Sequence, residues 1–154
     1  MRIRTPCIGI CSTTYGGDVC RGCKRYAHEI IDWNAYSEEQ KQLVWDRLTR
    51  LVDEVAAARL SVFDPELLAQ TLRSLGVRHH ADQSPAFGAL ELLRALGHQR
   101  VDPARFGITV MPAWAHLLPG ELYRELNQEM SVRAEASYDL HHGRARRLLE
   151  SWDG

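Results

Sequence analysis

Apolar positions recur at helical spacing along most of this chain, and the polar residues between them mark where helices begin and end. The clearest case follows Ser37. Ser37 and Gln40 have the spacing of a capping box, in which each side chain answers the other's backbone amide. Beyond it, Val44, Leu48, Leu51 and Val55 fall at i, i+4, i+7 and i+11, one buried stripe that Trp45 and Val52 widen. Glu38, Glu39, Asp46, Arg47, Arg50, Asp53 and Glu54 occupy the other faces with mixed charge, the pattern of a solvated surface. The spacing predicts a helix from Ser37 to about Arg59. Upstream, Tyr26, Ala27, Ile30 and Ile31 give a shorter apolar face, which predicts a helix over Arg21 to Trp33.

The second half is punctuated by proline and glycine. Asp64-Pro65 supplies an N-cap and a first-turn proline; Leu68, Leu72 and Leu75 form the stripe, and Gly76 ends it. Ser84-Pro85 repeats the start, with Phe87, Leu90, Leu93 and Leu96 as the stripe and Gly97 as the stop. The two short helices are expected to form an antiparallel pair. Asp102-Pro103 opens a single turn. Phe106 to Met111 is β-branched enough for a strand, but without a visible partner it is read as a buried connector. Pro112 to Leu118 predicts one or two helical turns. From Pro119 a long helix follows, with Leu122, Tyr123, Leu126, Met130, Ala134 and Tyr138 on its stripe. Gly143 breaks it, and Ala145, Leu148, Leu149 and Trp152 make a final amphipathic segment that is expected to dock within the fold.

Before that helical body stand the only four cysteines: Cys7 and Cys11 as C-x3-C, eight residues, then Cys20 and Cys23 as C-x2-C. Two cysteines so close turn both sulfurs to one side of a bend, and two such bends make a tetrahedral sulfur cage. Gly9 and Gly22 lie inside the two bends, where a residue without a β-carbon lets amides approach sulfur. Gly16, Gly17 and Asp18 give the intervening segment a hairpin signal. Cys20 and Cys23 are expected at the N-terminus of the first helix, whose dipole favours thiolate. Met1 to Pro6 has no secretory character, so the thiols are expected in a reducing cytoplasm, where this pattern binds metal rather than forming disulfides. An all-sulfur set suits zinc, a single iron or an iron–sulfur cluster. His28 is an ordinary surface position in this reading, with substitution for a ligand as the alternative.

Pro6-Cys7-Ile8-Gly9-Ile10-Cys11 and Cys20-Arg21-Gly22-Cys23, followed by Glu29 to Trp33, Ser37 to Lys41, Val44-Trp45 and Arg47-Leu48, resemble the bacterial domain-of-unknown-function family 1289. That family is catalogued as predicted iron–sulfur proteins. The resemblance covers about residues 5–60 and implies the four cysteines as ligands of a metal or cluster. It implies no substrate and no reaction, and it does not extend to residues 61–154. The organisation expected is therefore mostly α: a four-cysteine metal knuckle with a short hairpin and the long helix over 1–60, then a bundle-like helical domain over 61–154, with about five to six helices in the body.

Composition adds a boundary to this. At 154 residues, 45% apolar and 25% charged, the chain has an ordinary globular balance, and no apolar run approaches the ~20 residues of a bilayer span. The net charge of −1 hides an asymmetry, since residues 1–25 carry Arg2, Arg4, Arg21, Lys24 and Arg25 against Asp18 alone. Zinc held by four thiolates carries −2, which nearby cations offset. The other reading is a nucleic-acid or partner contact through Arg21, Lys24 and Arg25. His79, His80 and Asp82, or Asp139, His141 and His142, are weaker candidates for a second metal and read better as polar loop and helix-end residues. Arg144, Arg146 and Arg147 read as the solvated face of the last segment. No phosphate loop or nucleophile elbow is present, and metal binding leaves no thiol for catalysis. The expectation is a cytoplasmic, non-catalytic binding or adaptor module with a structural zinc and a protein partner. The alternatives are an iron–sulfur electron-transfer or redox-sensing accessory and a nucleic-acid-binding finger.

Overall fold

The caps that the sequence places at Ser37 and Asp64 are made in the structure, a computed structural model that describes residues 5–6, 19–20, 23–78 and 83–140. The described chain is mostly helical, with five α-helices: α1 Ala27–Ile31, α2 Glu38–Ala57, α3 Pro65–Ser74, α4 Pro85–Leu96 and α5 Pro119–Tyr138. Short 3-10 turns lie at Trp33–Ala35, Pro103–Phe106 and Pro112–Trp114, and two strands, β1 Leu60–Val62 and β2 Ile108–Val110, complete the elements. The predicted N-terminal hairpin and the segment from His141 to Gly154 lie outside the described residues.

The chain divides into two compact units, residues 1–48 with 129–154, and residues 49–128. In the first unit, α2 opens on the Ser37–Gln40 capping box: the Ser37 amide donates to Gln40 Oε1 at 2.8 Å, and the Gln40 amide donates to Ser37 Oγ at 3.2 Å. Val44 and Leu48 are buried, as are Met130 and Ala134 of α5. Arg47 departs from the expected solvated face. It is drawn inward because Glu29, buried on α1, offers it a carboxylate.

The second unit is built on leucine. Leu68 and Leu72 of α3, Leu92 and Leu93 of α4, and Leu122 and Leu126 of α5 are almost wholly buried with Val55 and Ile108. Each contributes about 1.5–3 kcal/mol relative to an exposed position. Asp64 caps α3 by accepting from the Leu67 amide at 3.1 Å. Helices α3 and α4 pack on each other, and α4 also covers β1. Leu75, expected on the α3 stripe, is instead 52% exposed, because the helix ends at Ser74 and the chain turns away through Gly76 at φ +70°. Ser84 precedes α4 as expected, but its hydroxyl donates to Asp53 Oδ1 at 2.8 Å rather than capping the helix.

The expected connector at 106–111 is a strand. β2 pairs antiparallel with β1 in the register Leu60↔Val110, Ser61↔Thr109 and Val62↔Ile108. Its partner was hidden in Leu60-Ser61-Val62, a short alternation squeezed between the end of α2 and the cap of α3. The crossing is sealed at Gly107, whose carbonyl accepts from the Phe63 and Asp64 amides at 2.9 and 3.3 Å. Gly107 has φ +91°, and a β-carbon there would overlap the backbone oxygen of Asp64, so only glycine fits.

Candidate metal centre

The second cysteine pair sits on a chain reversal. Val19 forms a β-bridge with Tyr26, the Cys20 amide donates to the Arg25 carbonyl at 2.9 Å, and the Lys24 amide donates to the Cys20 carbonyl at 2.9 Å. Lys24, immediately after Cys23, takes φ +67°, a left-handed conformation that costs a non-glycine residue about 1–3 kcal/mol and persists only where the surroundings hold it. This conformation also explains why the expected helix over 21–33 starts only at Ala27. The cysteines therefore precede the helix rather than occupy its N-terminus, and the donor that faces sulfur comes from the reversal itself.

The donor that the geometry places on sulfur is Arg25, whose Nε–H donates to Cys23 Sγ at 3.3 Å. Cys20 and Cys23 are 2% and 9% exposed. Burial pushes the Cys23 thiol up, the Arg25 contacts work against that, and the neighbouring Cys20 adds to it. Lys24 is buried beside the pair, and burial lowers its ammonium to about 8 while the two thiols oppose the shift. The reversal thus gathers two thiols and two cations away from solvent, an arrangement in which ionised sulfur would neutralise buried positive charge.

Arg25 is held in turn. Its guanidinium lies 5.0 Å from the centroid of Trp33, which is 6% exposed, and Lys41 Nζ of α2 lies 5.8 Å from the same ring. Tyr26 anchors the other side of the reversal. Its amide donates to Glu29 Oε1 at 2.8 Å, its hydroxyl donates to Ser137 Oγ at 3.1 Å, and its ring meets Tyr138 edge-on at 5.1 Å. Arg47 lies 4.1 Å over the Tyr26 ring and donates from Nη1 and Nη2 to Glu29 Oε2 and Oε1 at 2.6 and 2.5 Å.

Of the residues singled out in the sequence, Cys20, Cys23, Lys24 and Arg25 come together, whereas Cys7, Cys11 and Arg21 lie outside the described residues. Among the described residues no three or more histidines, cysteines, aspartates or glutamates converge on one point. His28 is exposed beside the Tyr26 ring, and Asp139 is exposed; His79, His80, Asp82, His141 and His142 lie outside the described residues. The residues that sequence reasoning passed over are the supporting ones. Glu29 three positions after Tyr26 is a capping spacing visible in the sequence, but Arg47, eighteen positions on, announces nothing. No helix of the described residues is long and apolar enough to cross a membrane.

No curated protein matches this chain, and no solved structure does. Residues 5–51, spanning both cysteine pairs, α1 and α2 as far as Leu51, fit the family described as "Protein of unknown function (DUF1289)", the family that the cysteine and tryptophan pattern resembles.

Proposed function

We propose that Cys7, Cys11, Cys20 and Cys23 hold one zinc ion in a structural role, and that residues 1–60 form a metal module of a non-catalytic, cytoplasmic binding or adaptor protein with a protein partner. The observation that carries this reading is the burial of Cys20 and Cys23 behind Arg25 and Lys24. Structural zinc sites are closed, whereas catalytic ones keep a position open to solvent and substrate. Charge supports the same reading: four thiolates around a divalent ion leave −2, which one lysine and one arginine buried beside them offset. A site of this kind supplies folding free energy to a segment too small to bury its own core.

A second reading rests on the same Arg25 donor. N–H groups aimed at sulfur and exclusion of solvent are also the levers that set an iron–sulfur potential, which makes an electron-transfer or redox-sensing accessory the alternative. The nucleic-acid reading is weaker, because Lys24 and Arg25 are 4% and 3% exposed and Arg25 gives its Nε–H to a sulfur rather than to a phosphate backbone.

The experiment is anaerobic purification without added metal, followed by elemental analysis and a visible spectrum. One zinc per chain and no visible band supports the structural finger. Iron with acid-labile sulfide and a broad visible band replaces it with the cluster. A Cys20→Ser variant that keeps full metal content overturns both.

A further inference from the structure

Arg25 is an unusual residue to find 3% exposed, and no carboxylate among the described residues explains its position. Its described partners are a sulfur and an aromatic face. The side chain gives Nε–H to Cys23 Sγ at 3.3 Å, and the guanidinium rests on Trp33. Trp33 is itself buried and stands in the 3-10 turn between α1 and α2, with Lys41 of α2 at its ring. The contacts form a chain: α2 to Trp33, Trp33 to Arg25, Arg25 to Cys23.

We infer that Arg25 is a positioning residue of the cysteine centre, which fixes the Cys23 sulfur for metal and is itself fixed by Trp33. This rests on the metal-binding reading above. A donor fixed on one sulfur biases where its remaining lone pairs point, and a guanidinium held on an indole keeps that direction without consuming a carboxylate. A carboxylate partner would cancel the positive charge that ionised sulfur needs nearby. Groups in this role, one contact removed from the metal, cost about 10–100-fold in affinity when removed.

The test uses the full chain with Co²⁺ as the probe, its sulfur-to-metal charge-transfer band as the sign of thiolate ligation, and a chelator competition for affinity. Arg25→Met keeps the length and packing over Trp33 but removes the Nε–H and the charge; Arg25→Lys returns the charge; Arg50→Ala on the exposed face of α2 is the control. The expected result is about tenfold weaker Co²⁺ binding in Arg25→Met, an intermediate value in Arg25→Lys and no change in Arg50→Ala, with the helical circular dichroism of all three equal to wild type. Arg25→Met binding within twofold of wild type overturns the inference, since packing alone would then explain the burial. Should Arg25→Met fail to fold, Arg25→Gln is the second neutral variant and is judged by the same threshold. Failure of the wild type itself to bind Co²⁺ through thiolate overturns the metal-binding reading, and this inference with it; a normal wild type with an unaffected neutral variant overturns only the role of Arg25.

Discussion

Arg47→Ala is expected to destabilise the protein by about 3.5–4 kcal/mol, far more than a partly exposed ion pair ordinarily contributes. Glu29, its partner, has a side chain only 6% exposed, and it accepts three N–H donors: two from Arg47 and one from the Tyr26 amide. Truncating Arg47 leaves a buried carboxylate with one donor. Removing one member of a buried pair costs about 3–5 kcal/mol, mostly the penalty of the charge left behind. The lower end applies, because the Arg47 side chain is 32% exposed and water reaches the space it vacates. The lost stack on Tyr26 adds about 0.5–1 kcal/mol. The contrast is Arg133, paired with Glu129 one helical turn away at 3.3 Å with both side chains partly in solvent, where Arg133→Ala should cost about 0.3–0.5 kcal/mol. Glu29→Gln combined with Arg47→Met should return most of the loss, because the new amide oxygen still accepts from the Tyr26 backbone and no charge is stranded. Urea unfolding followed by circular dichroism and by tryptophan fluorescence, at fixed metal content, measures all three variants. The reasoning is refuted if Arg47→Ala costs less than about 1 kcal/mol, or if the double variant is as unstable as Arg47→Ala.

Gly107→Ala should cost about 3 kcal/mol, with φ +91° and the Asp64 backbone in the way. Gly76→Ala, at φ +70° in open space, should cost about 1, and thermal melts of the pair separate the two contributions. Leu72→Ala, fully buried between α3 and its neighbours, should lose about 2–5 kcal/mol, whereas Leu75→Ala at 52% exposure should lose under about 1; denaturant midpoints decide. Burial raises the Tyr123 phenol above its ordinary 10, with Arg94 opposing and Glu91 assisting. In that range the unfolded chain ionises first, so Tyr123 stabilises the fold below pH 10 and this contribution is lost as pH rises toward its folded-state value. An alkaline titration of phenolate absorbance should lose a late-titrating group in Tyr123→Phe; an unchanged curve would refute the assignment.

Helices with local punctuation were legible in the chain. The Ser37–Gln40 box, Asp64-Pro65 and the glycine stops lie within a few residues of the backbone groups they satisfy, so sequence distance equals spatial distance. What was not legible joins distant positions. Leu60–Val62 reads as the frayed end of α2 until Ile108–Val110 is laid beside it. Arg47 looks like any other charge on a polar helix face until Glu29 is buried opposite. At the candidate site, the cysteine spacing marked the candidate residues, but it did not announce that Arg25 faces inward. Arg25, read as offsetting thiolate charge with an outside contact as the alternative, places its side chain on sulfur and an indole ring. The positive φ at Lys24, which shortens the first helix, leaves no mark in a lysine's identity.

The β1–β2 pairing has a consequence for how the second unit comes into being. Its register joins Val62 to Ile108 and so closes a loop of ~45 residues that contains both α3 and α4. Closing a flexible loop of that length costs about 3 kcal/mol of chain entropy before any strand contact repays it. The α3–α4 contacts span a much shorter stretch of chain and, once made, shorten the loop that the strands must bridge. The helix pair is therefore expected to form early, with the two strands acting as a latch that shuts late. A latch of this kind sets the escape rate rather than the rate of arrival. Thr109→Gly, exposed on β2, should speed unfolding in proportion to its loss of stability and leave the refolding rate nearly untouched.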